Sequence, residues 1–291
     1  MTSNTPLVSA IVATYNKADV LRYALESIKW QTLTDYEVWV IGDGCTDNSS
    51  EIVQNMGDER FHWINLPENS GYQSVAHNEG IRRARGKYIA YLNQDDLWLP
   101  HHLTTLVQTI ESQQAHFAYS ILEWVQSTKP SFPDIPVYPA AIHPPEASCM
   151  LQRADTLKDL GYWKQPSETR ALPRVDYFRR AQFKGYRFAF APRLTVLKFD
   201  AIGKYDSTTS QAEFLQRIKS DPQFSEQELS AMLVRAVHEL DLPPDSHRLR
   251  KQVMNWLRLR IIRLNLDPSD LQFWKPKGFH LKKWRKVRKL D

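Results

Sequence analysis

Cysteine and long apolar runs are the scarcest features of this sequence. Its 291 residues include two cysteines, Cys45 and Cys149, which lie far apart and outside any metal-ligand spacing. This spacing disfavours a disulfide framework and a zinc site, and it favours a reducing compartment. No apolar segment reaches the ~18 residues that a membrane span needs, and no basic stretch precedes the first short apolar run. The sequence therefore predicts a cytoplasmic protein.

Charge of either sign is unevenly distributed along the chain. Lysine and arginine total 38 against 33 aspartates and glutamates, but residues 246–291 hold 14 of the basic residues and only three acids. The rest of the chain is net acidic, so one end of the molecule is expected to meet anions. No nucleic acid partner is expected, because the tail does not alternate aromatics over a sheet for base stacking.

Residues 273–291 carry the densest positive charge. Eight lysines and arginines lie between Lys275 and Lys289, and aromatic residues such as Trp274 and Trp284 are interleaved with them. A solvated charge run with a few docked aromatics explains this pattern. A peripheral anchor on an anionic membrane surface explains it equally, because aromatics favour the interface and each basic residue adds ~1 kcal/mol near anionic lipid.

The first hundred residues alternate between strand-like and helix-like patterns. Short apolar runs rich in β-branched and aromatic residues predict strands, and the stretches between them have helical spacing. This rhythm indicates βαβ units and an α/β fold with a mainly parallel sheet flanked by helices. The predicted strands are Val8–Thr14, Glu37–Ile41, Phe61–Leu66 and Tyr88–Leu92, and the predicted helices are Val20–Trp30, Ser49–Met56, Ser74–Ala84 and 100–113.

The pattern changes in the rest of the chain. Residues 129–145 hold six prolines and no helical period, which predicts a loop near a functional site. From about residue 210 the pattern is helical throughout. We therefore predict one domain over residues 1–205 and a basic, mostly helical C-terminal extension over residues 206–291. The later predicted strands are Phe117–Val125, Arg187–Ala191 and Leu194–Phe199, and the later helices are Ala154–Leu160 and Arg174–Phe183.

The turn "VIGDGCTDNSS" after the second predicted strand resembles a dinucleotide-binding fingerprint only superficially. That fingerprint needs a third glycine, and Asp47 stands in its place. A turn in which Asp43 points off the strand end and Asp47 or Thr46 caps the next helix explains the same residues. The turn itself does not need a carboxylate at Asp43.

Acidic residues follow two predicted strands at their carboxyl ends. Asp43 follows the second strand, and Asp95 and Asp96 follow the fourth. In open sheets of this kind, ligands bind beyond the carboxyl ends of the strands. Adjacent carboxylates repel each other, so a positive group is expected beside them, and Mg²⁺ or Mn²⁺ prefers such oxygen ligands together with phosphate. The alternative for Asp96 alone is capping of the helix that begins near Pro100.

Four segments resemble a known family in their order and spacing. They are "VSAIVATYNKADVLRYALESIKWQT", "VIGDGCTD", "NSGYQSVAHNEGIRRARGKYIAYLNQDD" and "DYFRRAQFKGYRF". Together they resemble the inverting glycosyltransferases of family 2, which have the GT-A fold. The resemblance implies transfer of a sugar from a nucleotide diphosphate-sugar, expected to be a uridine or thymidine diphosphate-sugar, to a hydroxyl with inversion. It also implies Mn²⁺ or Mg²⁺ as cofactor and a glycan, lipid-linked or protein acceptor in surface polysaccharide, lipopolysaccharide or glycan biosynthesis.

The resemblance further implies roles for individual residues. Asp176 falls on the family's carboxylate base, although an acid in the first turn of a helix also complements the helix dipole. Trp163 is expected either in the core or as a sugar-stacking platform. The implied nucleotide-sugar ligands are Ala13, Tyr15, Asp43, Asn78, Asn93 and Asp95, and the implied metal ligands are Asp95 and Asp96.

Three positions depart from the family pattern. Gly42 replaces the first acid of the second-strand turn, Asn93 replaces the first acid of the Asp-x-Asp-Asp motif, and His77 stands where an arginine is common. A metal held mainly by Asp95, and completed by Asp96 or a water, is expected to bind weakly until nucleotide arrives. These departures keep two alternatives open: a nucleotide-sugar-binding protein of the same fold without turnover, and a nucleotidyltransferase. The latter needs a glycine- and lysine-rich loop, which "ATYNKADV" lacks.

Overall fold

The structure, a computed structural model, describes residues 5–125, 132–134, 144–199 and 207–228 and the isolated positions 230 and 260. These residues form one nine-stranded sheet with helices on its faces. The strands are β1 Val8–Thr14, β2 Tyr36–Gly42, β3 Phe61–Asn65, β4 Tyr88–Asn93, β5 Asp96–Trp98, β6 Phe117–Val125, β7 Phe132–Asp134, β8 Met150–Arg153 and β9 Phe188–Phe199. The α-helices are α1 Ala18–Lys29, α2 Ser49–Gln54, α3 Gln73–Arg83, α4 His102–Ser112, α5 Leu157–Leu160, α6 Pro173–Phe183 and α7 Ser207–Ser220.

The first four strands form the parallel part of the sheet, in the order β3-β2-β1-β4. Their register aligns Thr14 with Gly42 and Ala13 with Asn93, so β1, β2 and β4 end at the same edge. All the strands and helices predicted for this part of the chain are confirmed within a few residues. The edge therefore gathers the residues that follow these strands, as the predicted topology requires.

Helix α3 lies unusually close to β1. Gly80 makes this approach possible, because a Cβ at that position would lie 2.5 Å from Cγ2 of Ile11. On the same face of the sheet, Ile11 packs in an apolar cluster with Tyr91, Trp163 and Tyr177. This close packing holds the second half of α3 directly against β1.

The second half of the sheet is mixed. β8 pairs antiparallel with both β4 and β6, and β9 pairs parallel with β6 and antiparallel with β5. The two strands predicted near the end of the domain are one strand, β9, whose register shifts where Pro192 and Arg193 interrupt the ladder. The short strand β5 was not predicted. It pairs Asp96 with Lys198, so Asp96 does not cap the following helix, which begins at His102.

Helix α7 belongs to the same core as the sheet. Its Leu215 and Ile218 are buried in one apolar cluster with Leu97, Leu99 and Phe199. The predicted boundary at residues 205 and 206 therefore separates segments that pack together. The remainder of the predicted extension, including residues 273–291, lies outside the described residues. In the parts of the chain that the structure describes, no helix combines the length and apolar character needed to cross a membrane.

Candidate active site

Asp43 lies at the carboxyl end of β2, against the loop that precedes α3. Gly44 has a left-handed φ of +73°, and a Cβ there would lie 2.5 Å from the main-chain nitrogen of Asn69, so a glycine is required. The Asp43 carboxylate accepts hydrogen bonds from the Ser70 amide at 3.1 Å and the Asn69 side chain at 3.2 Å. Burial raises the pKa of Asp43, while the hydrogen bonds from Ser70 oppose the shift.

The end of β1 is fixed by Gln94, a residue that sequence reasoning did not single out. Its Oε1 accepts hydrogen bonds from the Thr14 hydroxyl and the Tyr15 amide, both at 2.8 Å. Ala13 and Tyr15 are partly exposed at this edge. The strand ends that carry Tyr15, Asp43 and the Asp95–Asp96 pair are thus joined into one surface, and the assignment of Ala13 and Tyr15 to nucleotide-sugar binding stays a prediction.

Asp47 stabilises two helix N-termini at once. One carboxylate oxygen accepts a hydrogen bond from the amide of Ala18, the first residue of α1, at 2.9 Å. The other accepts hydrogen bonds from the amide and the hydroxyl of Ser49, the first residue of α2. Asn16, at a φ of 46°, accepts a hydrogen bond from the Thr46 amide at 2.8 Å. Asp47 therefore accepts a hydrogen bond from the first amide of α2, as the predicted cap would, although Asn48 is the N-cap residue, and it does the same for the first amide of α1.

Asp96 is fully buried, and three groups contact one of its oxygens. Asn93 donates a hydrogen bond to Oδ2 at 2.8 Å, Ser148 donates a second, and the ammonium of Lys198 lies 3.3 Å from the same oxygen. Burial raises the pKa of Asp96 to about 6; Lys198 opposes this shift and Asp95 adds to it. The positive group expected beside the two acids is therefore present in the chain itself, as Lys198.

Lys198 connects Asp96 to a longer ion-pair network. Its ammonium lies 4.0 Å from the carboxylate of Glu146, which forms an ion pair with Arg174 at 2.7 Å. Burial lowers the pKa of Lys198, but the carboxylates of Asp96, Glu146 and Asp95 outweigh that effect and the net shift is upward. We refer to Asp96, Lys198, Glu146 and Arg174 as the ion-pair network. Its alternating charges run from β5 to α6 behind Asp95.

Asp95 is the more accessible of the two adjacent acids, and it is partly exposed at the sheet edge. Beside it, Oδ1 of Asn93 and Oδ1 of Asp96 are buried and have no hydrogen-bond partner among the described residues. Within those residues, no group of three or more His, Cys, Asp or Glu side chains could hold a metal ion by itself. Asp95 is therefore the residue that would hold a divalent cation here, since Mg²⁺ commonly binds one or two protein carboxylates together with phosphate oxygens.

Asn78 and Trp163 hold α3 against the segment that precedes α6. The Asn78 side chain donates to the Trp163 carbonyl at 2.8 Å and accepts from the Trp163 amide at 3.0 Å. Trp163 is 2% exposed and stacks on Tyr177 at 4.7 Å, which makes it a core residue. Burial lowers the pKa of the neighbouring His77 to about 3, so its ring is neutral. Nucleotide-sugar binding by Asn78 stays a prediction.

Asp176 lies in the first turn of α6, and both of its carboxylate oxygens are ion-paired. Arg180 contacts one oxygen at 2.8 Å, and Lys164 lies 3.5 Å from the other. Arg174, two residues earlier, points differently: it donates to the carbonyl oxygens of Pro144 and Pro145 and pairs with Glu146. The residue by which α6 joins the ion-pair network is therefore Arg174, and the role of Asp176 as a base stays a prediction.

Several residues of the site carry no signal in the sequence. Ser148, Glu146 and Lys198 lie outside the segments with a recognisable motif. Ser148 and Lys198 contact Asp96, and Glu146 contacts Lys198, only because β5, β6, β8 and β9 pair in one sheet. Gln94 lies inside the "NQDD" segment, between the candidate ligands Asn93 and Asp95, and this position is the only sequence signal for its role at the end of β1. The pairing of Lys198 with the buried Asp96 could be predicted only if β5 itself were predicted.

Comparison with known proteins identifies the family. The sequence profile of Glycosyl transferase family 2 matches residues 9–191. The chain belongs to this family. One curated relative is the UDP-Glc:alpha-D-GlcNAc-diphosphoundecaprenol beta-1,3-glucosyltransferase WfaP of Escherichia coli, 32% identical over 114 residues, which cover 39% of this chain and 45% of WfaP.

Another relative is the uncharacterized glycosyltransferase YibD of Escherichia coli, 35% identical over 124 residues, or 43% of this chain and 36% of YibD. The family 2 chain spans less than half the length of these curated relatives.

Solved structures show the fold of this family 2 member. S. aureus TarS 1–349 in complex with UDP-GlcNAc superposes with a TM-score of 0.59 at 18% identity, over 84% of this chain and 69% of TarS 1–349. The mannosyltransferase PcManGT from Pyrobaculum calidifontis, in complex with GDP-Man and Mn²⁺, superposes with a TM-score of 0.54 at 15% identity, over 98% and 86% of the two chains. The fold is the GT-A fold, as predicted.

Proposed function

We propose that this protein transfers a sugar from a nucleoside diphosphate-sugar to a hydroxyl group, with inversion at the anomeric carbon, in the biosynthesis of a surface polysaccharide or related glycan. One observation carries the proposal: in a family 2 chain, Asp43 and Asp95 follow β2 and β4 at the same edge of a parallel sheet. This edge is where open α/β sheets bind nucleotides.

The donor is proposed to be a uridine or thymidine diphosphate-sugar. Asp43 accepts two hydrogen bonds from the loop before α3, which leaves carboxylate lone pairs for the N–H of a pyrimidine base. Support comes from TarS, whose solved complex contains UDP-GlcNAc, and from WfaP, whose name specifies UDP-Glc.

A divalent cation, Mn²⁺ or Mg²⁺, is proposed to arrive with the diphosphate, as its presence in the PcManGT complex supports. When bound, such an ion stabilises the negative charge that develops on the leaving diphosphate. Asp95 would hold it, with the unpaired oxygens of Asn93 and Asp96 as neighbouring acceptors. Lys198, behind Asp96, keeps the pair of acids from carrying two uncompensated charges when no ligand is bound.

The proposed base is Asp176, which would take the proton of the attacking hydroxyl. Arg180 and Lys164 hold its two oxygens and orient the carboxylate. Glu146 is a second carboxylate to consider, because it lies 4.0 Å from the ammonium of Lys198, which in turn pairs with Asp96. The second candidate function is binding of the nucleotide-sugar without turnover. It is favoured by the ion pairs of both Asp176 oxygens, because these contacts compete with proton uptake by the carboxylate.

The decisive test is a screen of nucleotides and nucleotide-sugars. With Mn²⁺ present, uridine or thymidine diphosphate and its sugars are expected to raise the melting temperature of the full-length protein, because ligand that binds the native state stabilises it. Slow metal-dependent release of nucleoside diphosphate from one sugar donor is expected as well. Binding of a sugar donor without release of nucleoside diphosphate would support the second candidate function, binding without turnover. Adenosine and guanosine diphosphates serve as controls. No shift with any pyrimidine nucleotide would contradict the proposal.

The acceptor is proposed to be a glycan, a lipid-linked sugar or a protein, met in the cytoplasm or at an anionic membrane surface. The name of WfaP specifies a diphosphoundecaprenol-linked acceptor, which supports a lipid-linked substrate for this chain. A basic segment rich in aromatics, residues 273–291, would bring the protein to the membrane that carries such an acceptor.

Membrane attachment predicts a salt-sensitive sedimentation result. The full-length protein is expected to sediment with vesicles that contain anionic lipid at low salt and to be released at high salt, because screening weakens the attraction of lysine and arginine to the surface. Neutral vesicles are the lipid control. The protein control replaces the eight lysines and arginines between Lys275 and Lys289 with glutamine. Protein that stays in the supernatant with anionic vesicles at low salt would assign the segment to another partner.

A further inference from the structure

The side chain of Gln211, in α7, is fully buried although glutamine is polar. Burying an amide is unfavourable unless it makes hydrogen bonds. Its Nε2 donates a hydrogen bond to the main-chain carbonyl oxygen of Asp95, 116 positions earlier in the chain. That carbonyl belongs to the peptide bond between Asp95 and Asp96, so α7 is attached to the turn that presents the two acids.

Helix α7 packs against the rest of the domain along its length. Leu215 and Ile218 are buried in an apolar cluster with residues of β5 and β9. At the exposed end of the helix, the Lys219 ammonium lies 3.2 Å from Glu26 and 3.7 Å from the ring centre of Trp30, both in or next to α1. Because the helix is held at these points, the Gln211 side chain can fix the position of the peptide bond at the start of β5.

We propose that Gln211 is a positioning residue of the donor site, and that α7 completes this site from the C-terminal side of the chain. The inference rests on the proposed role of Asp95 in holding the cation and diphosphate. Gln211 acts through Asp95: with its hydrogen bond in place, the Asp95 carboxylate is presented at the sheet edge in one orientation. Without it, the turn between β4 and β5 samples several orientations, and the metal-dependent part of nucleotide binding weakens.

The test compares two identical substitutions on α7. Gln211→Met keeps the length of the side chain and removes its donor, and Gln216→Met makes the same change at an exposed position of the same helix. Affinity for uridine diphosphate is measured by titration calorimetry, once with Mn²⁺ and once with a chelator. For Gln211→Met the affinity with Mn²⁺ is expected to fall roughly three- to tenfold, the loss of one hydrogen bond. The affinity with chelator, and all values for Gln216→Met, are expected to match the wild type.

A melting curve accompanies each variant. Gln211→Met is expected to melt within about 3 °C of the wild type, because methionine also removes a buried amide oxygen that has no partner in the described part of the chain. An unchanged affinity with Mn²⁺ would overturn the inference. Equal losses with Mn²⁺ and with chelator would also overturn it, since a purely structural role predicts them. A wild type that binds no uridine diphosphate in either condition would instead contradict the proposed function.

Discussion

Asp176→Asn is expected to reduce turnover by on the order of 10²–10⁴ while leaving donor affinity nearly unchanged. Asparagine keeps the size of the side chain and an oxygen that can accept from Arg180, which contacts Asp176 at 2.8 Å. It cannot take a proton from the attacking hydroxyl. The measurement is the initial rate of sugar transfer, or of donor hydrolysis, at saturating donor concentration, with the donor dissociation constant determined separately.

Two further variants make this result specific. Asp155→Asn is the matched control: Asp155 also lies in the first turn of a short helix and pairs with an arginine, Arg153, at 3.0 Å, but it lies away from the sheet edge. Glu146→Gln tests the competing carboxylate. A loss of turnover confined to Glu146→Gln would transfer the role of base from Asp176 to Glu146, and Asp176 would then be an acid that complements the dipole of α6.

Asp95→Ala and Asp96→Asn are expected to have different effects although the two residues are adjacent. The first removes the metal dependence of nucleotide binding, and the second lowers the stability of the fold. Asp95→Ala removes the partly exposed carboxylate, so uridine diphosphate should bind equally in Mn²⁺ and in chelator, with the stability of the fold unchanged. Asp96→Asn leaves the buried ammonium of Lys198 without its nearest carboxylate. Breaking such a buried pair lowers the free energy of unfolding by ~3–5 kcal/mol. Denaturant unfolding and nucleotide titration of both variants distinguish the two effects.

A double substitution provides the control for this pair of variants. Lys198→Met combined with Asp96→Asn removes both charges, and the double variant is expected to be more stable than Asp96→Asn alone. If Asp96→Asn unfolds at the same denaturant concentration as the wild type and loses its metal dependence, then Asp96 acts as a metal ligand and its ion pair with Lys198 does not stabilise the fold.

The parts of this molecule that the sequence predicts are those with a repeating local pattern. Strands β1 to β4 and helices α1 to α4 follow from apolar periodicity, and the position of Asp43 and Asp95 at one edge follows from parallel strand order. The partner of Asp96 does not follow, because β5 has only three residues and pairs with a strand a hundred positions away. Such a strand is too short to show a period of two.

The same limit applies to helix α7. Its apolar positions predict a helix, but no local pattern indicates which surface of the domain it covers. The sequence places Gln211 in a helix but gives no indication of its contact with Asp95. Residues with a motif could therefore be assigned to the site from sequence, whereas Lys198, Glu146 and Gln211 required the tertiary structure.

Arg174 donates hydrogen bonds to the carbonyl oxygens of Pro144 and Pro145, so these residues mark one end of a segment that could be exchanged to alter acceptor preference. Strand β6 ends at Val125, β7 pairs with it at Phe132–Asp134, and residues 144–146 are held by Arg174. An exchange of the sequence between these two anchors among family 2 members is expected to keep the ion-pair network only if Arg174 and Glu146 are kept with it. Chimaeras joined at these anchors are expected to keep the donor affinity of the parent protein, so any change in acceptor preference would be assigned to the exchanged segment.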